Sequence, residues 1–208
     1  MKDNKKAEEK AITSAEDGGK EDGTPKRPKK VEPSAADKIK ETESRYAANR
    51  KEYERLLADE NYKDVAFNEE NGGLKATHVG HNFDHLRGNY EKTVQEVGYK
   101  SGHSIIFGAE PQNMYRKRST EGLWDNLFFE IGSAENNTPN NVRNALKHCA
   151  KKPNCDAAVI FFPKNYSKGV FEEGFGKFRG LSGTGQFRSF KKIICIYNGE
   201  IVNEINQP

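Results

Sequence analysis

No run in this 208-residue chain approaches the ~20 consecutive apolar residues that cross a bilayer, which excludes a spanning helix. Cysteine is almost absent. Cys149, Cys155 and Cys195 are odd in number and follow no framework spacing, so a disulfide scaffold is excluded. Cys149 and Cys195 fall at apolar positions of a helix and a strand, where cysteine acts as a small buried hydrophobe. The nucleotide and hydrolase fingerprints are missing too. There is no Gly-rich loop ending in lysine, no G-x-S-x-G and no H-E-x-x-H, and the glycines at 169, 174, 176, 180, 183 and 185 match no dinucleotide pattern. The N-terminus has no apolar core of a secretory signal, which predicts a cytoplasmic protein in the producing cell. Hydrophobic residues are scarce at 34%, and the mean hydropathy is −0.95. That is too polar for 208 packed residues and fits one domain with a polar extension.

Charge is distributed unevenly. The net +3 comes from 34 basic and 31 acidic residues. Residues 1–65 hold 16 of each sign, so the excess and all five histidines lie on the remainder. This permits a nucleic-acid partner without requiring one.

Three regions follow. Residues 1–33 are Lys, Glu, Asp, Gly, Ser and Pro, which predicts a disordered polar tail, with KRPKK at 26–30 a basic block within it. Residues 34–64 are helix formers with sparse apolar positions (Ile39, Tyr46, Tyr53, Leu56, Leu57), which predicts a charged, solvated helical linker. Residues 65–208 carry the patterns of a folded domain. Strands are expected at Leu74–His78, His103–Phe107 and Leu127–Ile131, and a helix over Tyr90–Val97. Thr138-Pro139 opens the clearest helix, with Val142, Ala145, Leu146 and Cys149 on one stripe. Ala157–Phe162 is continuously apolar, as in a strand buried on both faces. A helix begins at Ser167. Lys192–Tyr197, Asn198-Gly199 and Glu200–Ile205 form a hairpin with a type I′ turn. The class is therefore α+β with an α/β-like core: a mixed sheet, right-handed crossovers, flanking helices and a C-terminal hairpin.

Three groups of residues invite chemistry. His78 and His81, on a strand end and loop, form an acid–base pair near neutral pH. A metal reading would add Asp84, but no cysteine pair completes a zinc set, so no metal is expected. His85 reads as a loop residue. The Thr138 helix offers free N–H groups at its start, with Thr138 and Asn141 nearest an anion. Its polar flank of Asn140, Arg143, Asn144, Lys147 and Lys151 suits phosphates. Asp125 and Glu130 on the next strand are similar to the carboxylates of a metal-dependent restriction-type nuclease core. That core needs a lysine two residues after the glutamate, and Gly132 stands there. Asp125 and Glu130 are then expected to orient a histidine or arginine, and Trp124 to lie in the core.

The runs Gly72–His78, Tyr90-Glu-Lys with Gly98-Tyr99, Thr120–Asp125, Phe129-Glu130 and Thr138–His148 resemble a phage-associated nuclease domain of the barnase/EndoU/colicin/RelE-like group. Trp124–Ile201 is similar to the C-terminal tRNA nuclease domains of contact-dependent inhibition toxins. The resemblance implies a toxin-type, metal-independent ribonuclease without cofactor, in which a ribose 2′-OH attacks the adjacent phosphate of RNA, tRNA above all. Related toxin domains carry a lysine on the strand matching 128–133, and this chain has none. The weight then falls on His78, His81, Arg143, Lys147 and Glu130, with Thr138, Asn141, Asn144 and Lys151 holding phosphate. The resemblance also implies an immunity or antitoxin protein, and delivery to another cell or carriage in a phage particle. The alternative is a non-catalytic accessory module of a phage or mobile element that binds nucleic acid or a capsid protein. The mechanism requires His78 or His81, Thr138 and Arg143 to converge on one cleft.

Overall fold

The computed structural model describes residues 34–83, 88–110 and 119–207. The tail and its basic block, together with Asp84 and His85, lie outside the described residues. Helix α1 (Ala35–Leu57) leads into strands β1 (Tyr62–Phe67) and β2 (Leu74–His78), then α2 (Gly88–Lys100) and β3 (Ser104–Phe107). A short hairpin, β4 (Gly122–Trp124) and β5 (Leu127–Ser133), precedes α3 (Pro139–Ala150) and β6 (Ala157–Phe162). Helix α4 (Lys168–Gly183) and strands β7 (Lys192–Tyr197) and β8 (Glu200–Asn206) complete the unit.

The strands form one eight-stranded mixed sheet whose spatial order is the chain order. Pairing is parallel for β2/β3, β5/β6 and β6/β7, and antiparallel elsewhere. Each parallel pair is joined by a helix, as parallel strands require. Val94 and Val97 of α2 pack on Ile105, Phe107, Trp124, Phe129 and Val159. Val142 and Leu146 of α3 and Phe171 and Phe178 of α4 pack on Ala158, Ile160 and Cys195, which point the other way. All three crossovers step in the same direction along the sheet, yet α2 lies on the face opposite α3 and α4. The α2 crossover therefore has the opposite hand to the other two, a departure from the uniform right-handedness expected from sequence.

Most local expectations hold. Thr138 caps α3, its hydroxyl accepting from the Asn141 N–H. Every residue of β6 is buried. Asn198 (φ 51°) and Gly199 (φ 77°) make the left-handed pair of the type I′ turn. The three cysteines are free and buried, and burial pushes the Cys155 thiol up to about 12. Trp124 is fully buried.

The linker expectation is corrected. Helix α1 and strand β1 belong to the folded unit. Leu56 is fully buried against Leu74, Ala76 and Ile106, with Tyr53 beside it. Tyr46 packs edge-on to Phe67, and Asn49 donates to the Gly72 carbonyl at 2.8 Å. Positions 46, 49, 53 and 56 lie on one helical stripe. Counting apolar residues alone undervalued it, because tyrosine and asparagine do much of the packing.

Candidate active site

The geometry does not bring the sequence-predicted residues together. His78 ends β2, three strand positions from β5, which is roughly 14 Å at the usual strand spacing. Its Nδ1 accepts from the Gly80 N–H at 2.9 Å, and its ring lies edge-on to Tyr62. His81 is buried on the α2 face, stacked on Phe107 at 4.6 Å, while α3 covers the other face. The expected convergence of His78 or His81 with Thr138 and Arg143 is therefore corrected. On α3, Thr138 accepts from both the N–H and the side-chain amide of Asn141, so part of the presumed anion site is used in capping. Arg143 donates to Asn144, and Lys147 lies over the Phe187 ring beyond α4. Lys151 is the exposed C-cap.

What the fold does assemble lies on the other flank of α3. The β4/β5 ladder stops at Gly122 and Phe129, so Glu130–Ser133 run on beyond β4. Glu121 sits at that point, its N–H donating to Phe129 and its carbonyl accepting from Gly108. A narrow cavity opens there, lined by Tyr90, Glu91, Glu121, Ile131, Ser133 and His148, with room of about 50 Å³. That is the space of one or two waters, or of one oxyanion.

Glu130 is 1% exposed and directed toward α3. One of its oxygens accepts from His148 Nε2 at 2.9 Å and forms an ion pair with Lys152 Nζ at 3.1 Å. Its other oxygen is buried and, among the described residues, lacks a hydrogen-bond partner. Lys152 also donates to the Ser119 carbonyl, which ties the approach to β4 to the end of α3. Glu121 is pushed up to about 7, first by burial and then by the charges of Glu130 and Glu91. On the far side, His81 Nε2 faces Glu91 at 3.6 Å, just beyond hydrogen-bond length. Burial alone would lower the His81 pKa, but Glu91 outweighs it and the net direction is up.

Gly132 explains the lysine missing from the strand. A Cβ there would lie 2.7 Å from the Ala145 carbonyl oxygen and 3.1 Å from the Ala145 Cβ. Helix α3 thus packs directly on β5 and leaves no room for a side chain. The ammonium beside Glu130 comes instead from Lys152, just past the end of α3. Gly132→Ala is expected to destabilise the fold by about 1–3 kcal/mol through overpacking, measured as a lower midpoint of urea unfolding at unchanged slope.

Sequence reasoning singled out Glu130 but missed Glu121, Glu91, His148 and Lys152. For His148 and Lys152 a signal existed. With Val142 at the centre of the buried stripe, His148 and Lys152 share the flank opposite Arg143 and Lys147. Choosing between the flanks required knowing which one faces the sheet opening. For Glu121 no periodic signal marks a three-residue strand.

Asp125 and Glu130 each hold a histidine. Asp125 pairs with His103 at 2.6 Å at the other end of the sheet, where Lys192 bridges Asp125 and Glu204. Burial would raise Asp125, but its bond to His103 and that charge hold it below the usual carboxylate range. Two larger clefts, of about 390 and 340 Å³, border this end and α1. Asp125, His103, Lys192 and Glu204 are paired with one another, although Arg45 Nε on the second of these clefts is buried and, among the described residues, lacks a hydrogen-bond partner. The cavity next to Glu130 differs in being lined by a carboxyl, Glu121, that burial and neighbouring charges push up to about 7, which makes it the candidate site. Among the described residues no group of three His, Cys, Asp or Glu is close enough to hold a metal as it stands, and no helix is long and apolar enough to cross a membrane.

Compared with models of known families, with curated proteins and with solved structures, the chain matches none.

Proposed function

We propose that the folded unit is an RNA-cleaving nuclease of the toxin type, with tRNA its first substrate class and the cleft at Glu130 its active site. The observation that carries this reading is the cavity that Glu121 and His148 line together, where burial and the charges of Glu130 and Glu91 push the Glu121 carboxyl up to about 7. General acid–base catalysis works best when the catalytic pKa lies near the operating pH. With its Nε2–H donated to Glu130, His148 keeps Nδ1 to take the proton of a ribose 2′-OH. The freed oxygen attacks the adjacent phosphorus, and protonated Glu121 supplies a proton to the departing 5′-oxygen, leaving a 2′,3′-cyclic phosphate. Lys152 offsets charge on the phosphorane. Such a protein needs an immunity or antitoxin partner where it is made, and this follows from the toxin reading alone.

A second chemistry has its own observation. Glu130 keeps one buried carboxylate oxygen without a hydrogen-bond partner among the described residues, the Glu91 oxygen that also lacks one faces His81 Nε2 at 3.6 Å, and Glu121 is raised by the charges of both. Mutually repelling carboxylates around a small cavity attract a divalent cation after a modest side-chain adjustment, and cleavage would then depend on that ion.

One assay separates these outcomes. Purified protein is incubated with total tRNA in excess EDTA, and in parallel with Mg²⁺ or Mn²⁺. Cleavage in EDTA to cyclic-phosphate ends is the expected result. Cleavage only with metal replaces the mechanism but keeps the nuclease. Intact tRNA in both, with harmless expression in growing cells, overturns the nuclease and leaves the accessory binding module.

A further inference from the structure

We propose that Phe128 is a base-stacking platform for a single-stranded nucleotide next to the Glu130 cleft, an inference that takes its substrate class from the nuclease reading above. Strand β5 is paired on both sides, to β4 and β6, so it is an interior strand of the sheet. Its side chains should be covered by helices, yet Phe128 is 47% exposed. Its cross-strand partner Leu123 packs under α1, and Glu130, two residues on and on the same face, packs under α3. Phe128 therefore lies in the uncovered strip between the helices. An aromatic ring there is costly to leave in water and gains most from a flat apolar partner.

The surroundings favour a nucleotide. Lys151 and Lys152 stand at the end of α3 on one side. On the other, Lys51 and Arg55 of α1 border a cleft of about 390 Å³ that reaches Asn126, the residue two before Phe128. Arg55 is held by Glu52 and Asp59, and Lys152 by Glu130, so Lys51 on one side and Lys151 on the other are the cations for a phosphate backbone, and the ring between them suits a base. Residues two apart on a strand are about 7 Å apart, close to the distance from a nucleobase to its own phosphate. A base on Phe128 thus directs its phosphate toward the end of α3, where Lys152 pairs with the buried Glu130. Stacking serves every base, so the platform predicts affinity for unpaired nucleotides with little sequence preference.

The test uses the full chain and a ten-nucleotide RNA carrying 2′-O-methyl groups, which cannot undergo 2′-OH attack. The chain has a single tryptophan, Trp124, and it is fully buried. Emission from F128W is therefore separable as the solvent-exposed component. Quenching of that component on adding RNA is expected, as is a 5- to 100-fold weaker Kd for F128A, with F128L weakened nearly as much and F128W close to the natural protein. On tRNA, F128A should raise KM and leave kcat within about threefold. Equal affinity of F128A, absent quenching, or a natural protein that binds no RNA overturns the proposal. The last result would leave the exposed ring to a protein partner. Phe128-dependent binding without any cleavage overturns the nuclease and leaves the platform standing. Cleavage that ignores F128A does the reverse.

Discussion

Glutamine at position 130 is expected to lower tRNA cleavage by at least about 100-fold while leaving the protein folded. Glu130 is buried, and one of its oxygens holds both His148 and Lys152. A glutamine amide oxygen keeps the hydrogen bond from His148 with almost the same shape, while the ion pair with Lys152 is lost with the charge. Without the anion, His148 and Lys152 both lose the negative charge they face. General acid–base contributions of this kind run at roughly 10²–10⁴. A loss of about 1–3 kcal/mol is expected, since Glu130 is buried and the glutamine NH2 would replace an oxygen that has no hydrogen-bond partner among the described residues. Single-turnover cleavage and urea unfolding on the same preparation check both halves. Full activity in E130Q would remove Glu130 from the mechanism. Inactivity accompanied by unfolding would make it structural.

Glutamine at position 121 is expected to do the unusual combination of stabilising the protein and disabling it. The folded-state pKa of Glu121 stands at about 7, well above its ordinary value of 4.5. At pH 4 the carboxyl is protonated in both the folded and the unfolded chain and contributes nothing to the pH dependence. Between 4.5 and 7 the folded protein keeps a proton that the unfolded chain has released, so stability falls as pH rises. Above 7 the loss is complete, at most about 3 kcal/mol for a shift of this size, and less to the extent that water reaches the group. His81, also raised, adds to the same trend, because its contribution is full below its unfolded value and is lost as pH climbs through its folded one. E121Q has no proton to lose. It should match the natural protein at pH 4, exceed it at pH 8 by up to about 3 kcal/mol, and show a flatter profile between. Urea midpoints across pH 4–8 read this directly, and an unchanged slope would show that Glu121 does not titrate near neutrality. The same variant should lose at least about 100-fold in cleavage, and the alkaline limb of the natural rate profile, where Glu121 gives up its proton, should vanish. Residues that weaken a fold yet complete a site are expected where chemistry sets the requirement.

The long periodic elements were legible without coordinates. The α3 stripe, the doubly buried β6 and the β7/β8 hairpin each follow from local rules, and all appear as expected. Such features repeat their signal over six or more residues, so sequence alone decides them. Strand β4 did not announce itself. Its three residues are held by partners on both sides, and pairing rather than propensity makes it a strand. Helix α1 was legible as a helix but not as a packed one, because its buried stripe is built partly of tyrosine and asparagine.

The site divides in the same way. Local patterns along the chain were enough to establish that the folded part is α+β with a mixed sheet, that its histidines and carboxylates are the groups able to move protons, and that Glu130 is among them. Which of them meet depends on the packing of distant segments. His78 and Thr138 each look functional along the chain, but two strands stand between β2 and β5 and hold them apart. Glu91, Glu130 and His148 come from α2, β5 and α3, and Glu121 from the segment just before β4, so no local pattern relates them. They are brought together because β4 ends early and leaves an opening at β5, and because Gly132 lets α3 lie directly on that strand. Where a side chain points is fixed by its own few residues. What it points at is fixed by the order of the strands and the distance between layers, and those are properties of the whole chain.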